Sequence, residues 1–185
     1  MKKRVVVTGM GLTAPNAHGL DNFEQALREG RSGIRFIPLL EQLKFSCQIG
    51  GVPENFDKIR EKYFDHDRLL SMNENIGYAS VAAVDAWVDA GFKILNSEDD
   101  TVDWDTGVIA GSGIGGMDTI SQTLVPMVNE GKVRRMGSRI VEQVMNSATS
   151  GSIGGLIGAG NQVTSNSSAC STGNEAIIEE IGRAS

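Results

Sequence analysis

The stretch SNSSACSTGNEA, Ser165 to Ala176, holds Cys170 between a run of small polar residues and the start of a helical pattern. Gln162 to Ala169 reads as a strand and Ser171 onward as a helix, so the cysteine falls at a strand-to-helix hand-over. The first turn of a helix carries unpaired N–H groups and a partial positive charge. Such a setting stabilises a thiolate. The cysteine's own N–H can also face the oxyanion formed when sulfur attacks a thioester or ester carbonyl. The nucleophile elbow of hydrolases uses the same strand-to-helix logic. Ser168, Ala169, Ser171 and Gly173 are small enough to admit a substrate. Position alone leaves two readings open: a nucleophile, or a packed and inert thiol.

Working outward from this stretch, a helical pattern begins near Ser138 and runs through VEQVMNSATSGSIGGLIGAG. Ala148, Gly151, Ser152, Gly154, Gly155 and Gly158 are all small, although each helical glycine costs about 1 kcal/mol against alanine. Close approach of other backbone is the expected return. Upstream, Thr106 to Ala110 reads as a buried strand that enters GSGIGG, residues 111–116, followed by a helix up to Gly131. Asn73 to Ala90 is helical, with Val81, Val84 and Val88 on one face and Gly91 as the stop. Asp21 and Glu24 resemble a capping box before Phe23, Ala26 and Leu27. Residues 31–70 form a long excursion. Val5 to Thr8 is β-branched and predicts a buried strand ending in a turn. Strands alternating with helices predict an α/β sheet with right-handed crossovers.

Two glycine motifs resemble nucleotide fingerprints. TGMGLTA fits G-x-G-x-x-A through Gly9, Gly11 and Ala14, but Pro15, Asn16 and Gly19 delay the helix and no acidic residue closes a second strand. GSGIGG lacks the Lys and Ser/Thr of a P-loop. Both therefore predict tight turns and close packing at the sheet edge.

The 185 residues suffice for one domain with a core, and 40% hydrophobic with 22% charged residues is ordinary globular composition. A net charge of −6 disfavours a nucleic-acid partner. MKKRVVV is basic like a secretory leader, but its apolar run is cut short by Thr8, Gly9 and Gly11, and no stretch approaches a membrane span. Cys47 and Cys170 have no metal-site spacing and read as reduced thiols, so the expected location is cytoplasmic, with no metal and no cofactor. His18 and His66 are expected to be surface residues, and Cys47 to be chemically idle.

RVVVTGMGLTAP at the start, GSGIGGM in the middle and SSACSTGNEAI near the end resemble the β-ketoacyl-acyl-carrier-protein synthases, condensing enzymes of the thiolase superfamily. Their order and spacing match along the whole chain. The resemblance implies a thiolase-like α/β fold, of which residues 1–185 would be an incomplete N-terminal half: a βαβαβ mixed sheet with helices on both faces, cut after the nucleophile helix. It implies 3-oxoacyl-acyl-carrier-protein synthase chemistry. Cys170 would accept an acyl group as a thioester, and a decarboxylated malonyl-type extender would attack it in a Claisen condensation, in fatty-acid or polyketide-type synthesis. The Cys170 N–H would be half of the oxyanion hole. Ile114 matches a position that lines and gates the acyl pocket. The implied partners are an acyl carrier protein and a second copy in a homodimer, with the strand leading to the cysteine at the interface.

The chain departs from that pattern in two respects. Family enzymes are about twice as long, and their second half supplies two histidines, a lysine and the second oxyanion N–H; neither His18 nor His66 matches those motifs. The region before the small-residue helix reads RRMGSRIVEQ, placing Arg139 where an aromatic pocket residue is common. An acidic carrier protein needs a basic patch on the enzyme. Lys132 to Arg135 is the candidate, joined by Arg60, Lys62 and Arg68; a solvated charge run is the other reading. Two alternatives accompany the enzyme reading: a non-catalytic ketosynthase-like partner subunit, which usually lacks the cysteine, and a truncated fragment with a structural role.

Overall fold

The computed structural model describes residues 4–96 and 99–184. The central element is α5, Glu74–Asp89, started by Asn73, whose side chain accepts the Ile76 N–H at 2.8 Å and donates to the Gln143 carbonyl. Asn73 thus caps the helix and ties it to a distant segment. Gly91, at φ 87°, ends it as the sequence predicts. Val81 is fully buried; Val88, expected on the same face, is exposed.

Ahead of α5 lie a short hairpin, β1 (Thr13–Ala14) with β2 (Ala17–His18), and α1 (Leu20–Arg28). The predicted capping box does not form: Gly19 is the cap and Asp21 sits in the first turn, where its charge still favours the helix dipole. The excursion over 31–70 is more ordered than its composition suggests. β3 (Ile34–Phe36) pairs antiparallel with β4 (Ile49–Gly51) around α2 (Pro38–Gln42), and α3 (Phe56–Arg60) and α4 (His66–Ser71) follow.

After α5 the chain enters β5 (Val108–Ile109). A helical run comprises α6 (Met117–Thr119), a π-helical turn at Ile120–Leu124, and α7 (Val125–Asn129). The long helix expected from Ser138 is two helices, α8 (Arg139–Val144) and α9 (Ala148–Ile157), parted where Met145 turns extended. The break receives the GSGIGG loop: a methyl group on Gly116 would lie 2.5 Å from the Gln143 carbonyl and 2.6 Å from Val144 Cα. β6 (Val163–Thr164) then pairs parallel with β5, Val108 opposite Val163 and Ile109 opposite Thr164. α10 (Thr172–Ala184) closes the described chain.

The α9 helix packs against α5 and both strands of the parallel pair. Phe56, Phe64, Met72, Ile76, Val81, Val108, Ile153, Leu156 and Ile157 form the core. Hydroxyls in this contact meet each other: Ser80 and Ser152 at 3.1 Å, Ser150 and Ser165 at 2.7 Å. Of the glycines over 151–158, the expected approach of other backbone occurs only at Gly158, the cap that follows α9, while Gly154 faces side chains. A methyl group on Gly158 would sit 2.6 Å from the Thr101 carbonyl, and one on Gly154 3.2 Å from Val163, whereas nothing lies within 4 Å of Gly151 or Gly155.

Val5 to Thr8 is not a strand among the described residues, and Val6 and Val7 are exposed. β-Branched patterning reports that a segment suits burial on a sheet, but no described strand pairs with this one. It instead leads into Gly9 and Gly11, which press on α5. A methyl group at Gly9 would fall 2.2 Å from the Ala86 carbonyl, and one at Gly11 2.0 Å from that of Ala82. TGMGLTA is therefore a packing motif against a helix rather than at the sheet edge.

Candidate active site

From β6 the chain runs irregularly over 165–168 and enters a 3-10 turn at Ala169–Ser171 that leads directly into α10. The predicted strand over 162–169 is thus only two residues long, but the hand-over to a helix occurs at Cys170. The thiol is exposed and unpaired. Ala169 has φ 51°, the left-handed region, which costs a residue with a Cβ roughly 1–2 kcal/mol. Side chains around it hold that conformation. Buried Thr172 accepts the Ser168 N–H at 2.9 Å and donates to the Ala169 carbonyl at 2.8 Å. Asn166 Nδ2 donates to the Thr172 carbonyl at 2.9 Å.

The GSGIGG loop packs on this turn. Gly111 faces Asn166 and Thr172 so closely that a methyl group would sit 2.1 Å from Thr172 Cγ2. At Gly113 a methyl would lie 3.8 Å from Ala169 Cα, and the Ser167 hydroxyl donates to the Gly113 carbonyl at 3.4 Å. Cys170 and the loop bearing Ile114 are therefore neighbours, and Ile114 is exposed.

A family model described as "Beta-ketoacyl synthase, N-terminal domain" matches residues 2–183. The chain belongs to the β-ketoacyl synthase family. It is 31% identical over 183 residues to "3-oxoacyl-[acyl-carrier-protein] synthase 2" of Vibrio harveyi, covering 99% of this chain and 41% of that protein. To the protein of the same name from a Synechocystis strain it is 31% identical over 176 residues, 95% of this chain and 41% of the relative. The solved structure "The ishigamide ketosynthase/chain length factor" superposes with a TM-score of 0.79 at 25% identity, covering 99% of this chain and 45% of that one. The chain thus spans less than half the length of these relatives. Its fold is the N-terminal part of a thiolase-like ketosynthase.

Other sequence-predicted residues of this β-ketoacyl synthase chain are differently placed. His18 is half-buried rather than freely exposed: its Nε2 lies 2.9 Å from the Tyr63 hydroxyl, which donates to Asp85 at 2.8 Å. Burial pushes the Tyr63 hydroxyl's pKa up, and its bond to Asp85 adds to the effect. This network links β2 to α5 and includes no residue of the Cys170 turn. His66 is exposed in the first turn of α4, and Cys47 is exposed. Arg60 pairs with Asp57 at 2.5 Å and lies over the Phe56 ring, so its charge is partly engaged. Lys132 pairs with Glu130 at 2.6 Å, and Arg134 and Arg135, exposed like Lys132, are the cations of that cluster outside this pair. Arg139 and Arg68 line a cleft of about 670 Å³ floored by Met72, Ile76 and Leu156. No residue of the Cys170 turn lines it, so size alone does not mark the chemistry. Sequence reasoning missed Asn166 and Thr172; two polar residues bracketing a nucleophile candidate were the available signal.

Proposed function

We propose that this chain is the cysteine-bearing part of a 3-oxoacyl-acyl-carrier-protein synthase. The exposed Cys170 thiol at the entry to α10, in a chain of this family, carries the reading. The Cys170 thiolate attacks the thioester carbonyl of an acyl carrier protein, the S–C bond to sulfur of Cys170 forms, and the carrier thiol leaves. Malonyl carrier then loses CO2, its carbanion attacks the Cys170 acyl group, and 3-oxoacyl carrier departs as the cysteine sulfur is freed. The Ala169 carbonyl is drawn toward Thr172, so the trans peptide directs the Cys170 N–H the opposite way, as an oxyanion donor requires. Ile114 lines the acyl pocket from the neighbouring loop.

The relatives' name supports an acyl carrier protein as partner, and exposed Arg134 and Arg135 suit its acidic surface. A homodimer fits two features. Among the described residues β6 is paired on one side only, leaving a strand edge, and Gly151 and Gly155 leave one face of α9 open. Two unpaired thiols are consistent with a cytoplasmic location. Residues 1–185 act as one domain of a longer enzyme. By itself this domain takes up acyl groups without condensing them, because the two histidines, the lysine and the second oxyanion N–H that the family resemblance implies have no match in residues 1–185.

The experiment is intact-mass analysis after incubation with an acyl thioester, with tryptic mapping. Acyl mass on Cys170, none on Cys47, and none in a Cys170→Ala variant is the expected result. Acylation spread equally over both cysteines would remove the assignment. Ketoacyl product from the purified 185-residue chain would overturn the claim that it does not condense.

A further inference from the structure

We propose that Thr172 is a positioning residue for Cys170, its buried hydroxyl fixing the peptide that presents the Cys170 N–H and sulfur. The proposal rests on Cys170 being the nucleophile. An ordinary helix cap reaches forward, accepting N–H groups two or three residues further on. The Thr172 hydroxyl reaches backward: it accepts from Ser168 N–H at 2.9 Å and donates to the Ala169 carbonyl at 2.8 Å. Its two bonds span Ser168 and Ala169, and Ala169 alone in this turn has a positive φ, 51°. One hydroxyl thus clamps the two-residue segment Ser168–Ala169, whose second residue would otherwise relax to a commoner conformation.

The Ala169 carbonyl and the Cys170 N–H belong to one planar peptide. Anchoring the carbonyl inward orients the N–H outward, without any contact between Thr172 and a substrate. The anchor is itself anchored. Thr172 is 5% exposed, and its carbonyl accepts from Asn166 Nδ2 at 2.9 Å. Gly111 supplies the room, since a side chain there would occupy the space of Thr172 Cγ2 and Asn166 Oδ1. Only a hydroxyl on Cβ can make both bonds. Serine keeps the function, and valine, of the same shape, removes it.

The test is the rate of iodoacetamide alkylation at Cys170, read by peptide mapping and divided by the rate at Cys47 in the same molecule. A merely structural role would shift the melting temperature and leave this ratio in folded protein unchanged. Thr172→Val is expected to lower the ratio about ten-fold or more, as a misplaced reacting group does, while Thr172→Ser retains it. An unchanged ratio in folded Thr172→Val, or an equal loss in Thr172→Ser, overturns the proposal. Should the valine variant not fold, amide exchange in the unaltered chain decides: the Ser168 N–H is expected to exchange slowly, and exchange at the rate of a free amide overturns the clamp. If Cys170 of the unaltered chain reacts no faster than Cys47, the nucleophile reading fails, and slow Ser168 exchange would still distinguish that failure from failure of the clamp.

Discussion

Gly111 and Gly151 look alike in the sequence and sit in opposite environments. A methyl at Gly111 would meet Thr172 Cγ2 at 2.1 Å, Asn166 Oδ1 at 2.2 Å and the Asn166 carbonyl at 2.5 Å. All three belong to Asn166 and Thr172, the residues that shape the Cys170 turn. Gly111→Ala is therefore expected to destabilise the chain by about 1–3 kcal/mol and to slow Cys170 alkylation. Gly151→Ala adds a methyl to a helical position with nothing within 4 Å, and is expected to stabilise by up to about 1 kcal/mol. Urea midpoints check both. The difference was not legible in the sequence, because the residues that crowd Gly111 lie more than fifty positions along the chain and nothing local marks Gly151 as open. Cys170 was more legible: small polar residues, then helix formers, define a local corner whatever packs around it. The backward bonds of Thr172 were not, since Ser168, Ser171 and Thr172 offered equivalent hydroxyls and only the positive φ of Ala169 selects one.

Among the elements, the entry to β5 is tied down through Asp103, by its backbone and its carboxylate. Asp103 donates its N–H to the Gly158 carbonyl and accepts the Gly160 N–H on its own carbonyl, both at 2.8 Å, so it joins the end of α9 to the approach to the sheet. Its carboxylate takes the Thr106 hydroxyl at 2.6 Å and the Asp105 N–H at 2.9 Å, and these bonds, the Thr106 one foremost, hold its pKa below the usual aspartate value. A carboxyl depressed in the folded state stabilises the fold above its unfolded pKa of about 3.9 and loses that contribution as pH falls through the lower folded value. The stability difference between the unaltered chain and Asp103→Asn is expected to be largest near neutrality and to shrink once the pH drops below about 4. Thermal melts across pH would show it, and a pH-independent difference would contradict it. The extent of α5 was readable because its start at Asn73 and its stop at Gly91 are local signals, whereas its predicted face was only partly right, since Val88 is exposed. The α8–α9 break was not, because the GSGIGG loop that fills it lies elsewhere in the chain, and Val5 to Thr8 had strand composition without a described partner strand.

For the whole molecule, area is the informative quantity. A folded monomer of 19.7 kDa is expected to expose about 8,600 Å², and this chain exposes 12314 Å². The excess, roughly 3,700 Å² for one chain, is larger than one partner's half of the ~2,000–5,000 Å² that an obligate interface buries in total. Much of it is apolar: Val6 and Val7 near the N-terminus, Trp104 before β5, and Ile177, Ile178 and Ile181 along α10. The isolated chain is expected to self-associate as its concentration rises, and Ile178→Lys to weaken that association; sedimentation at several concentrations measures both. Such exposure was invisible in the composition, since 40% hydrophobic residues is equally typical of a closed domain.

Both cysteines share that open surface. In air, a molecule with two accessible thiols is a bifunctional monomer in the polymer chemist's sense: each link it forms leaves an end that can form another. Oxidised samples should run as a ladder on a non-reducing gel, whereas Cys47→Ser, with one thiol left, should stop at the first rung. Growth beyond that rung in the single-thiol variant would show that covalent linkage is not what builds the ladder.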